Sequence, residues 1–109
     1  MPLRRYEIFL PTRYMDGNPV EADKFQSTSE DLSAKFGNSS GEPAVVRRIW
    51  NHDGQKFDQD NVRLFVDVED TADNAAFFVR YKETLKERFR RDDIWLVSFG
   101  IPITYRSVG

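Results

Sequence analysis

A single histidine, His52, stands among acids: Asp53 follows it directly, and Asp58 and Asp60 lie a few residues on. An imidazole held by a carboxylate can exchange protons near neutral pH, provided the two reach hydrogen-bonding distance. The same oxygens suit a hard cation such as Mg²⁺ or Ca²⁺. The spacing fits no EF-hand loop, which needs alternating ligands ahead of its Gly and a Glu after it. An exposed turn histidine is therefore the preferred reading, and no metal or cofactor is expected. No serine sits in a Gly-x-Ser-x-Gly elbow, and no Gly-x-x-x-x-Gly-Lys loop occurs. With no cysteine in the chain, a disulfide scaffold, a thiolate zinc site, an iron–sulfur cluster and a cysteine nucleophile are all excluded. No catalytic residue is assigned, and the pattern points away from catalysis.

Charged and aromatic groups form a second set. Arg13, Tyr14 and Asp16 fall in one long connection, and Arg90 and Arg91 close a basic run that starts at Arg80. Acids at Glu69, Asp70 and Asp73 precede that run, which matches the macrodipole of a helix. Glu83 and Glu87 find basic partners three or four residues away. With a net charge of −2, the chain lacks the basic surplus usual in nucleic-acid binders.

The elements that must position these groups follow from periodicity. Across 109 residues, enough for one domain, the order is β-α-β-β-α-β. Tyr6, Ile8 and Leu10 alternate with polar residues over Arg4 to Leu10, a first strand that Pro11 ends. Asp16-Gly17 and Asn18-Pro19 supply turn chemistry in the connection from Pro11 to Val20. Glu21 to Phe36 has helical spacing, and Gly37 is placed to terminate it. After a loop at Asn38 to Pro43, strands are expected at Ala44 to His52 and Val62 to Glu69. Asp53-Gly54 is the hairpin signal between them. The acidic stretch Gln55 to Asn61 reads as an extension with a bulge or irregular return. Asp70 or Asp73 can cap a helix running to about Arg91, with Phe78, Tyr81, Leu85 and Phe89 as its buried stripe. Ile94 to Tyr105 completes the chain as a kinked edge strand interrupted by Gly100 and Pro102.

That order implies a single α+β domain, a ferredoxin-like βαββαβ plait with both helices on one face of a four-stranded antiparallel sheet. In it, the connection Pro11 to Val20, the hairpin His52 to Asn61 and the junction Arg88 to Asp93 meet at one end. Arg13, Tyr14, Asp16, His52, Asp53, Arg90 and Arg91 then form a candidate site for a small ligand or partner. Tyr14 and Met15 are the apolar residues hardest to assign to the core. On the open sheet face, Phe9 and Phe65 are expected side by side with Arg5 and Arg63 around them and Trp50 added by the second strand.

Such a patch suits burial against a second copy, giving a homodimeric binding or assembly module. The alternative is an RRM-like binder of single-stranded nucleic acid that stacks bases on the same rings. It is disfavoured because Glu7 and Asp67 repel phosphate and the basic-aromatic strand of such modules is missing. A small acid–base enzyme using His52 is the third reading. No apolar run approaches the length of a membrane span and no leader pattern is evident, so a cytoplasmic protein without membrane contact is expected.

The opening Tyr6-Glu7-Ile8-Phe9-Leu10-Pro11 is followed by Arg13-Tyr14 and Asp16-Gly17. Further on come Phe77-Phe78, Tyr81-Lys82-Glu83-Thr84-Leu85-Lys86-Glu87-Arg88-Phe89 and Ile94-Trp95. Together these resemble a group of short, standalone bacterial proteins of uncharacterised function. The resemblance implies a single-domain protein and carries no activity or site residue with it.

Overall fold

Alternation of apolar and polar side chains builds the centre of the sheet. In the computed structural model, which describes residues 2–37 and 40–102, β1 spans Leu3–Pro11 and β3 spans Gln55–Glu69, and the two pair antiparallel with Ile8 opposite Leu64. Strand β2 (Ser40–His52) joins the far side of β3, and β4 (Trp95–Ile101) joins the far side of β1. The result is a four-stranded antiparallel sheet in the order β2-β3-β1-β4.

Helices α1 (Ala22–Phe36) and α2 (Ala72–Arg88) cover one face of this sheet. Tyr6, Ile8 and Leu10 of β1 and Leu64, Val66 and Val68 of β3 share one core with Leu32 of α1 and with Phe78, Tyr81 and Leu85 of α2. The Tyr6 ring stacks on Phe78 at 3.9 Å. Each large apolar side chain buried in this way contributes about 1.5–3 kcal/mol. Helix α1 has little intrinsic propensity, and no side-chain hydrogen bond caps its start. Packing of Leu32 and of Phe25 against Phe89 holds it, and Gly37, at φ 78°, ends it in the left-handed conformation.

Several boundaries differ from the sequence-based expectation. Thr71, not Asp70 or Asp73, caps α2: its side chain accepts from the Asn74 backbone N–H. Asp70 is instead engaged by Arg4 at 3.0 Å. The helix stops at Arg88, short of Arg91, because the chain turns at Arg90 with φ 53°. Residues 40–43 belong to β2 instead of a loop, and the irregular step lies there, between Ser40 and Ala44. Pro43 is tolerated because β2 is an edge strand. The acidic return Gln55 to Asn61 pairs regularly with β2. Asp53 and Gly54, at φ 50° and 75°, make the two-residue turn that starts pairing at once. Gly100 pairs with Arg4 without interrupting β4. Residues 38–39 of the expected loop and Ile103 to Tyr105 of the expected last strand lie outside the described residues.

Because β1 ends at Pro11, opposite Asn61, the rest of the β2–β3 hairpin projects as a two-stranded arm with His52 and Asp53 at its tip. Among the described residues no helix is long and apolar enough to cross a membrane.

Candidate functional site

The face of the sheet away from the helices is built from the alternate residues of each strand. Cross-strand pairing places Arg5 beside Asp67, Glu7 beside Phe65, and Phe9 between Arg63 and Trp95. Phe9 and Phe65 are therefore one diagonal step apart, not side by side as expected. Neither is bare. The Phe65 ring lies under the guanidinium groups of Arg5 and Arg63, at 4.3 and 5.1 Å. Phe9 is only 8% exposed and stacks on Trp95 at 4.3 Å.

Those arginines already have acidic partners. Arg5 donates to both oxygens of Asp67 at 2.8 and 3.0 Å, and Arg63 donates to Glu7 at 2.7 Å. The Arg5 guanidinium is forked onto its carboxylate with its best donors engaged, and Arg63 meets Glu7 through Nε, so a phosphate would have to compete with both ion pairs. The large apolar side chains left exposed on this face sit on the edge strand: Trp95 and Phe99, the latter 45% exposed.

Toward the arm the same face continues as a ladder. Trp50 stacks on Phe57 at 5.3 Å. The Arg48 guanidinium lies 4.5 Å from the Trp50 ring and 4.1 Å from the Trp95 ring. It thus ties the arm on one edge of the sheet to β4 on the other, which requires the sheet to curl. Phe9, Pro11, Arg48, Trp50, Asn61 and Trp95 line the resulting cleft, together with Gln59, Arg91, Asp93 and Ile94. Its volume is about 210 Å³. The Asn61 side chain is buried and exchanges hydrogen bonds with Gln59.

The loop end comes together only in part. Arg91 donates to the Arg13 carbonyl at 2.7 Å and to Met15 Sδ at 3.1 Å, and Arg90 lies 4.6 Å over the Tyr14 ring. Tyr14 is buried in the core, whereas Met15 is exposed. The Tyr14 hydroxyl donates to Glu21, and this hydrogen bond holds the Glu21 carboxyl below its ordinary value and the Tyr14 hydroxyl above its own. The Thr12 N–H reaches the Asp60 carbonyl at 3.3 Å. Asp16 is spent on its own turn, accepting from the Asn18 backbone at 2.9 Å.

His52 and Asp53 are not part of this cluster. The arm carries them away, and His52, with its side chain 73% exposed, pairs with Asp53 at 3.3 Å and with no other acid among the described residues. Strand alternation also separates His52 from the expected acids. His52 pairs with Gln55 on one face, while Asp58 and Asp60 point to the other with Ile49 and Arg47. Asp58 accepts from Arg47 Nε at 2.8 Å, and that contact lowers its pKa from the ordinary value. Among the described residues no group of three or more His, Asp or Glu side chains is placed to hold a metal ion.

Sequence reading singled out Trp50 and Arg91 but missed Arg48, Asn61 and Trp95 as cleft residues. The available signal was Arg48 two positions before Trp50, hence on the same strand face. Comparison with models of protein families, with curated proteins and with solved structures found no match.

Proposed function

We propose that this chain is a binding and assembly module on a ferredoxin-like plait, and that it pairs with a second copy of itself through the open sheet face. The strand order β2-β3-β1-β4, read with the order β-α-β-β-α-β, supports the plait. The observation that carries the pairing is how charge is distributed on that face. Arg5 with Asp67 and Arg63 with Glu7 cancel internally, while Trp95 and Phe99 of β4 stay exposed. The centre of that face, where Arg5 and Arg63 are paired, offers little to a phosphate backbone, and its β4 side can mate with its own image about a twofold axis. The internal pairing of the arginines is also the argument against base stacking with phosphate clamps.

Phe99→Glu is the informative substitution. Phe99 is exposed, opposite Arg5, and its replacement leaves the monomer core untouched. The expected result is loss of the dimer with an unchanged circular dichroism spectrum. Salt-dependent binding of a single-stranded oligonucleotide by a wild-type monomer would instead favour the nucleic-acid reading.

A further inference from the structure

The cleft between the arm and β4 has a charge that nothing described in the fold neutralises. Arg48 and Arg91 both line it. Arg48 rests on the rings of Trp50 and Trp95. Stacking engages the plane of a guanidinium and leaves its in-plane N–H donors to be satisfied, and among the described residues no carboxylate takes them. Arg91 uses its terminal nitrogens on the Arg13 carbonyl and Met15. Its Nε is buried and without a partner among the described residues. Burial pushes the Arg91 guanidinium below its ordinary value, as expected of a cation whose counter-charge is missing. The acid on the rim, Asp93, is held by Lys82 at 2.8 Å and does not fill that role. Three aromatic side chains, Phe9, Trp50 and Trp95, contribute to the lining, with Pro11 beside them.

We infer that this cleft binds a small planar carboxylate, its ring against the aromatic walls and its carboxylate on Arg48 and Arg91. The Arg48 guanidinium can meet a carboxylate as a fork, Arg91 has its single Nε–H left to add, and a volume of about 210 Å³ admits only a small molecule. The inference does not rest on self-association.

The chain's 2 tryptophans both line the cleft, so their indole N–H resonances report on it directly. Benzoate is the probe, with benzamide as the same ring without charge and inorganic phosphate as charge without a ring. The expected result is a saturable shift of both indole resonances and of the Arg91 Nε–H by benzoate. Benzamide and phosphate should each bind at least about tenfold more weakly, and Arg48→Gln and Arg91→Lys should each weaken benzoate about tenfold. Should Arg91→Lys lose amide dispersion, Arg48→Gln alone decides. No saturable shift at tens of millimolar benzoate overturns the proposal. Equal shifts from benzamide or from phosphate, or unaltered affinity in Arg48→Gln, overturn it too.

Discussion

Between the helices, Tyr81, Asp31, Arg88 and Thr28 form a polar knot that runs from the buried Tyr81 and Thr28 out to Asp31, whose side chain is 42% exposed. The Tyr81 hydroxyl donates to Asp31 at 2.9 Å, and Arg88 donates to Asp31 and to Thr28 Oγ1, each at 2.9 Å. Burial, reinforced by the Asp31 carboxylate, pushes the Tyr81 pKa well above its ordinary value. The folded value lies above the unfolded one, so this contribution to stability is fully present below about pH 10. It is lost as pH rises through the folded value. Tyr6, raised mainly by burial, acts in the same direction. Tyr81→Phe is expected to cost about 0.5–1.5 kcal/mol at pH 7 and to give a shallower loss of stability above pH 10. Urea unfolding of both proteins across pH 8–11 checks this, and parallel curves would refute it.

At the scale of elements, two devices can be tested separately. Thr71→Ala removes the cap of α2 and should lower stability by about 1 kcal/mol, while Thr71→Ser retains it. Thermal unfolding distinguishes the pair. Arg48→Ala cuts the ladder between the arm and β4, so amide exchange should accelerate over 47–52 and 55–60 and stay unchanged in β1. Uniform exchange across the arm in both proteins would mean that the hairpin stands without the ladder.

Much of this level was legible in the sequence because strand and helix periods are geometric. Tyr6, Ile8 and Leu10, then Leu64, Val66 and Val68 of β3, and the stripe Phe78, Tyr81, Leu85 and Phe89 are buried as their spacing implies, with Val62 partly buried against them. The cap was not legible, since Asp70, Thr71 and Asp73 are all capable and local backbone geometry decides among them. Nor was the regular arm, whose acidic return concealed the Arg47–Asp58 pair across it. Sequence proximity alone places Asp58 near His52 and does not reveal that alternate strand residues face apart.

At the scale of the molecule, the faces were foreseen but not what covers them. The helix-side core follows from alternation. The mutual pairing of Arg5 with Asp67 and of Arg63 with Glu7 depends on register, as does the diagonal offset of Phe9 from Phe65. The contact of Arg48 with Trp95 joins strands at opposite edges of the sheet, a consequence of sheet curl that no local pattern encodes. These facts move the expected self-association from the centre of the sheet, where Phe9 and Phe65 are covered, to its β4 rim.

Native mass spectrometry at two protein concentrations, on the wild type and Phe99→Glu, tests that claim most directly. A wild-type species of twice 12.8 kDa, populated more at the higher concentration, and a monomeric variant are expected. A wild-type monomer at both concentrations, or a dimer that survives Phe99→Glu, would contradict it.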